Sequence, residues 1–261
     1  MKDIKKLIDL ANITAIKAGE KILEVYHSEN FEIEIKSDNS PLTKADKLSN
    51  AIITEMLKDT DIPILSEEGK SISYSERKHW EWLWIVDPLD GTKEFIKKNG
   101  EFTVNIALVK NNQTIAGVIY VPVKNELYYS DGNSSYYAKV GNEKILSTNK
   151  LPMFNNRTTD ELCVVASRSH MNDETLDYIE NIKEKTQKKI TLVSAGSSLK
   201  FCLVATGKAQ LYPRYAPTME WDTAAGHAIV KTAGFNTYEA KTGKELIYNK
   251  ENLLNPHFVV K

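Results

Sequence analysis

The sequence predicts a layered fold of the α+β class, on three observations. An amphipathic helical pattern opens the chain, a run of β-rich segments joined by short turns extends from Trp82 to Leu146, and strands alternate with helices beyond the polar stretch Lys150–Thr159. That polar, proline-containing stretch divides the chain into two halves, residues 1–150 and 151–261.

Ile4, Leu7, Ile8, Ala11, Ala15, Ala18, Ile22 and Val25 recur at spacings of three and four, which predicts a helix from about residue 3 to about residue 27. Phe31, Ile33 and Ile35 alternate with charged residues as a half-buried strand does, and Ser37–Pro41 reads as a loop. Thr43 is placed to cap a second helix carrying Leu48, Ile52, Ile53, Met56 and Leu57 on one face. Gly69–Lys78 is polar and serine-rich, the composition of a mobile surface excursion. Trp82–Val86 is an apolar strand expected to stop at Asp87-Pro88. Phe102–Val109 and Thr114–Val121 form a hairpin across a four-residue loop, and Glu126–Ser130, Ser135–Ala138 and Lys144–Leu146 are further short strands. In the second half, Leu162–Ala166, Ile190–Val193 and Ala209–Tyr212 read as strands, and Thr175–Lys185, Ser197–Ala205 and Asp222–Thr232 as helices, the last closed by Gly234.

A chain of 261 residues with 41% hydrophobic and 26% charged residues has the composition of a soluble globular protein. With 34 basic against 35 acidic residues there is no global field for a nucleic-acid polymer or an anionic membrane, so an anionic ligand must be attracted locally. The first residues lack an apolar signal core and no stretch approaches the length of a membrane span, so the expectation is a cytoplasmic protein, with peripheral membrane association left open. Cys163 and Cys202 lie among apolar neighbours and read as two buried thiols.

Chemistry concentrates in three acidic stretches. Asp87-Pro88-Leu89-Asp90-Gly91-Thr92 puts two carboxylates at a proline-stiffened turn with bare amides beyond. Glu67-Glu68 follows the apolar Ile62–Leu65, and Asp222 stands where an alanine-rich helix starts. Taken alone, the Asp-Pro and Asp-Gly pairs fit an ordinary β-turn as well as a metal site. Acids from separate segments suit a hard dication such as Mg²⁺, which wants several oxygen ligands. Asp46, read locally, is an acid favoured by the dipole of a first helical turn.

The Asp87–Thr92 motif with the later Trp221-Asp222 resembles the inositol monophosphatase superfamily of metal-dependent phosphatases, and the similarity runs over nearly the whole chain. The strings Asp90–Ile96, Asn99–Leu108, Gly196–Cys202 and Trp221–Ala228 are similar to its CysQ-type branch of 3′(2′),5′-bisphosphate nucleotidases. The resemblance implies a layered α/β/α/β/α sandwich and Mg²⁺ as cofactor, two or three ions, with Mn²⁺ able to substitute and Li⁺ expected to inhibit. It carries metal ligation onto Glu67, Asp87, the Leu89 carbonyl, Asp90 and Asp222, and gives Glu67 a catalytic part. It gives Thr92, supported by Asp46, the task of orienting the attacking water, and gives the amides of Gly91 and Thr92 the departing phosphate. The implied reaction is hydrolysis of the 3′-phosphate of adenosine 3′,5′-bisphosphate by a metal-activated water, without a covalent intermediate; removal of the 3′-phosphate from its sulfated 5′-phosphosulfate analogue is a further activity.

For the second phosphate and ribose, the matching positions are Ser197, Lys200 and Arg214, with His170 near the base and Asp222 also facing substrate. The helix start at Gly196–Ser198 offers free N–H groups, and Lys200 and Arg214 supply charge for a phosphate that no metal touches. Read locally, the same two side chains fit a solvated lysine and a surface arginine, and His170 fits a cap. Glu220 and Tyr215 stand near the place where a simple inositol phosphatase offers an acid to sugar hydroxyls. Alternatives are a phosphatase of the same superfamily acting on inositol phosphates, fructose 1,6-bisphosphate or NADP, and a non-catalytic sensor of nucleotide and Mg²⁺. The three-residue spacing of Asp87 and Asp90 disfavours an aspartyl-phosphate mechanism, and Gly91-Thr92-Lys93 has the wrong order for a Walker loop. Monomer and homodimer both remain open.

Overall fold

The computed structural model describes residues 2–28, 33–35, 41–154, 160–166 and 171–261. In chain order the elements are α1 (Ile4–Tyr26), β1 (Glu34–Ile35), β2 (Pro41–Leu42), α2 (Lys44–Leu57), β3 (Ile64–Ser66), α3 (Tyr74–Arg77) and β4 (Trp82–Asp90). Then come α4 (Thr92–Ile96), β5 (Thr103–Lys110), β6 (Gln113–Val121), β7 (Glu126–Ser130), β8 (Ser135–Gly141) and β9 (Lys144–Lys150). The second half supplies β10 (Glu161–Ala166), α5 (Asp173–Thr186), β11 (Lys189–Ser194), α6 (Leu199–Ala205), β12 (Tyr212–Arg214), α7 (Glu220–Thr232), β13 (Thr237–Glu239) and β14 (Phe258–Val260).

The large sheet runs β3-β4-β5-β6-β7-β8-β9, antiparallel except for the parallel β3/β4 pair. Strand periodicity splits its residues between two cores. Trp84, Val86, Ile106 and Leu108 pack with Ile8, Ala15 and Ile22 of α1 and Ile53 of α2. Leu83, Ile85, Ala107 and Val109 face the opposite way, onto Phe201 and Val204 of α6 and Ala225 and Ile229 of α7. Those helices lie in turn against Tyr212, Phe258 and Val260 of the three-stranded β12-β14-β13 sheet, and α5 closes the outside through Ile179 on Val164 and Val259. The layers are therefore helix, sheet, helix, sheet, helix, the sandwich that the resemblance implies. Strand hydroxyls fasten α7 to the large sheet: Thr114 Oγ1 donates to the Ala224 carbonyl at 3.0 Å and Ser135 Oγ to that of Ile229 at 2.7 Å.

Several local expectations need correction. β4 does not stop at Asp87-Pro88; it runs on to Asp90, because a bulge sets Asp87 opposite Asn105 but Asp90 opposite Thr103, and a proline at a bulge has no ladder hydrogen bond to forfeit. The β5/β6 loop has two residues, not four: Lys110 pairs with Gln113, and Asn111 and Asn112 both take left-handed φ values, 49° and 63°, as a tight hairpin turn requires. Gly69–Lys78 contains α3, whose Arg77 is buried and donates to Asn249 Oδ1 at 2.9 Å and to the Glu251 carbonyl at 2.8 Å, so this segment is anchored to the C-terminal part of the chain. Ile33 and Ile35 are exposed instead of half-buried. The pairing of Tyr212–Arg214 with β14 replaces a strand at Ala209–Tyr212, and helix α6 starts at Leu199 because Ser197 is left-handed. Cys163 and Cys202 are free thiols; only the second is fully buried.

Candidate active site

Parallel pairing of β3 with β4 sets Ser66 beside Val86, and the next N–H, of Glu67, donates to the Val86 carbonyl at 3.1 Å. Glu67 is thereby carried alongside Asp87. Helix α7 brings Asp222 from the second half, held as the third residue of its first turn by the Met219 N–H, which donates to Asp222 Oδ2 at 2.8 Å. Carboxylate oxygens of Glu67, Asp87 and Asp222 all lie within 4.8 Å of one another. Burial, then the charges of Glu67, Asp90, Asp222 and Asp46, push the Asp87 carboxyl well above the usual range. For Asp222, burial and then Asp90 raise it to about 8, against the lowering effect of the Met219 N–H.

Asp90 stands at the edge of this cluster, and its Oδ2 is held by the hydroxyls of Ser197 and Ser198, each at 2.6 Å, and by Asn105 Nδ2 at 3.3 Å. Leu89 is buried, with its N–H on Asp87 Oδ1 at 3.1 Å and its carbonyl 3.3 Å from Thr92 Oγ1. Ser49 of α2 fixes the same turn by donating to the Pro88 carbonyl at 2.7 Å. Asp46 serves both readings at once: Oδ2 closes a capping box with Thr43, and Oδ1 faces Thr92 Oγ1 at 3.3 Å.

A cavity of about 380 Å³ opens from Asp90, Gly91 and Asp222 toward Lys200, Tyr212 and Arg214. Lys200 is neither solvated nor loose. Its Nζ donates to the carbonyls of Ser197 at 2.7 Å and Ala195 at 3.3 Å, and burial, with Arg214 adding, lowers its pKa to about 8 against the pull of Asp90. Arg214 donates to the Pro217 carbonyl at 3.2 Å, while its buried Nε has no hydrogen-bond partner among the described residues. Gly91, Ser197 and Asp222 also line the cavity, whereas His170 lies outside the described residues. Contrary to the sequence expectation, the Gly196 N–H is not free, because Glu101 Oε2 accepts it at 2.9 Å. Glu220 is no hydroxyl partner either: it is wholly buried and accepts the N–H groups of Asn249 and Lys250 and the Lys250 ammonium.

Sequence reasoning gave no role to Thr103 and Asn105, the bulge partners of Asp90 and Asp87. Thr103 Oγ1 is 2.7 Å from Ser197 Oγ and donates to Asn105 Oδ1 at 2.9 Å, and Asn105 Nδ2 reaches Ser198 Oγ at 2.8 Å. The available signal was two polar residues at period two inside the apolar run Phe102–Leu108; buried polar groups at such positions must find partners.

The Inositol monophosphatase family profile matches residues 3–258. The 3′(2′),5′-bisphosphate nucleotidase CysQ of Salmonella typhimurium is 44% identical over 250 residues, 94% of this chain and 96% of that protein. The crystal structure of CysQ from Bacteroides thetaiotaomicron is similar with a TM-score of 0.88 at 50% identity, over 98% of this chain and 97% of that one. The suhB protein of Bartonella henselae shares the fold with a TM-score of 0.76 at 23% identity, over 98% of this chain and 93% of that one. A match of this extent, on the sandwich and the acidic cluster described above, means that the chain belongs to the inositol monophosphatase family.

Proposed function

We propose that this protein is a Mg²⁺-dependent 3′(2′),5′-bisphosphate nucleotidase that hydrolyses the 3′-phosphate of adenosine 3′,5′-bisphosphate to give AMP and phosphate. The observation that carries the reading is the double place of Asp222, which converges with the carboxylates of Glu67 and Asp87 and also lines the cavity that holds Lys200 and Arg214. The donor set fits a hard dication, since three carboxylates from separate segments converge on one point and a positive charge there would offset the burial and crowding that raise the Asp87 carboxyl. Glu67, Asp87, Asp90, Asp222 and the Leu89 carbonyl would hold the metal, which supplies Lewis acidity toward the attacking water and the phosphoryl oxygens.

The remaining tasks fall to the chain. Thr92, braced by Asp46, accepts and aligns the water for in-line attack, and the amides of Gly91 and Thr92 hold the phosphoryl group. Lys200 and Arg214 neutralise the second phosphate, with Ser197 hydrogen-bonding beside them. The fixed Asp46–Thr92 pair contributes orientation more than proton affinity.

Glu94 and Glu101 on the same cavity wall favour a second reading, in which sugar hydroxyls of an inositol phosphate meet these carboxylates. The test is phosphate release from adenosine 3′,5′-bisphosphate and from inositol 1-phosphate side by side with Mg²⁺. Strong preference for the nucleotide is the expected result. Preference for the inositol ester would retain the metal assignment and transfer the reaction to the second reading, and binding of nucleotide without phosphate release would make the protein a sensor.

A further inference from the structure

Glu101 lies just before β5, against both the metal-binding turn and the loop that starts helix α6, and the nucleotidase reaction described above gives it no part. Its Oε2 accepts the Gly196 N–H at 2.9 Å. A Cβ on Gly196 would sit 3.0 Å from Glu101 Cβ and 3.1 Å from its carbonyl oxygen, so the loop comes this near because position 196 carries no side chain. On its other side the Glu101 carbonyl faces Gly91, whose φ is +92°, at 3.2 Å from where a Cβ would be; Ser197 Cβ is equally near that point.

Ser197, next to the bonded glycine, is left-handed with φ 49°, a conformation a serine keeps only where its surroundings impose it. In that conformation its hydroxyl donates to Asp90 Oδ2 at 2.6 Å. Glu101 is thus joined to Asp90 through two consecutive residues of the loop.

We propose that Glu101 is a positioning residue: by holding the Gly196 N–H it keeps Ser197 left-handed and its hydroxyl on Asp90, which sets the orientation Asp90 offers to a divalent cation and the Ser197 hydroxyl offers to the nucleotide. This rests on the metal-dependent reading of the site. The link acts through a hydrogen bond and not through charge, which separates it from a simple electrostatic effect of one more acid near a cation.

The test uses the full chain with Glu101→Ala, Glu101→Gln, Ser197→Ala and the Glu101→Ala/Ser197→Ala double variant. Calorimetric titration with Mn²⁺ alone measures cation affinity, and steady-state kinetics with adenosine 3′,5′-bisphosphate separates KM from kcat. Glu101→Ala is expected to weaken Mn²⁺ about tenfold, as loss of an outer hydrogen-bond partner does in other metal sites. It should also raise KM more than it lowers kcat. Glutamine keeps an acceptor oxygen for Gly196 and should restore most of both. The double variant should lose little more than either single one, because both act on one path.

Equal loss in Glu101→Gln and Glu101→Ala, or a lowered KM on removing the negative charge, would assign the effect to charge and overturn the proposal. So would unchanged Mn²⁺ affinity in Glu101→Ala. A wild-type protein that binds no Mn²⁺ would overturn the metal-dependent reading, a different failure from the first. Should Glu101→Ala not fold, the Glu101→Gln and Ser197→Ala proteins still decide: near-wild-type affinity in the first with a clear loss in the second is expected, and the reverse order overturns it.

Discussion

Asp46 and Thr92 meet across 46 positions of chain, with Thr92 Oγ1 3.3 Å from Asp46 Oδ1, while the other oxygen of the same carboxylate takes the Thr43 N–H at 2.8 Å. One side chain closes a helix and orients a hydroxyl. The two duties separate by mutation. Thr92→Val removes the hydroxyl at nearly constant volume, and kcat is expected to fall about 10²-fold or more with the melting temperature unchanged. Thr43→Ala should cost about 1 kcal/mol of stability and little turnover. Asp46→Ala should lose both. Melting curves and kinetics on the three proteins check this; a Thr43→Ala protein as inactive as Asp46→Ala would put the cap, not Thr92, on the route to catalysis.

Asp87 is the most crowded of the acids, buried against Glu67, Asp90 and Asp222. Asp87→Asn removes one of these mutually repelling charges at constant shape. Turnover should fall by about 10³-fold or more, while the metal-free variant melts higher than metal-free wild type. Added Mg²⁺ should raise the wild-type melting temperature and leave the variant nearly unmoved, because only binding to the native state stabilises it. Scanning fluorimetry with and without Mg²⁺ reads both effects.

What the sequence made legible follows from how local each signal is. The first helix and the Thr43 cap announce themselves through periodicity and turn residues and appear within a residue or two of expectation, whereas in the β-rich run the strands from Ser135 and Lys144 continue to Gly141 and Lys150, past the expected ends at Ala138 and Leu146. The bulge at Asp87–Asp90 was not legible, because Pro88 reads as the end of a strand unless the partner strand is known to slip by one residue there. Arg77 looked like one more charge in a polar surface segment. Its burial depends on carbonyls of Lys250 and Glu251, far along the chain, which no window around residue 77 contains. For the site, the acids stood out as carboxylates after apolar runs, whereas Thr103, Asn105 and Glu101 act through partners on other elements and carry only a weak periodic signal.

Away from the cleft, Glu245 is held well ionised. Its hydrogen bond with His227 comes first, those with Lys231 and Asn236 also contribute against partial burial, and its pKa falls to about 2 from an ordinary 4.5. A carboxylate with a depressed folded-state pKa adds stability above its unfolded pKa and loses it as pH falls through the folded value. Glu245→Gln is therefore expected to lower the melting temperature at pH 7, by the equivalent of about 1 kcal/mol or less given solvent screening. The difference from wild type should shrink between about pH 4.5 and about pH 2. A difference that stays constant across that window would make packing, not ionisation, the contribution of this side chain.

Lys200 carries two loads that one substitution can weigh. Its ammonium donates to the Ala195 and Ser197 carbonyls, shaping the loop, and it lines the cavity with Arg214. Lys200→Met keeps the stem and removes the charge, and it should raise KM for the bisphosphate about 10- to 100-fold, the range of a charged hydrogen bond, with a smaller change in kcat. Burial also brings the ammonium close to losing its proton, at about 8. In the wild type, KM should accordingly rise as pH passes through that value, since the neutral amine no longer attracts a phosphate, and the Lys200→Met profile should lack this rise. A pH series of KM on both proteins measures it. An unchanged KM in Lys200→Met would confine the lysine to the loop and leave the second phosphate to Arg214.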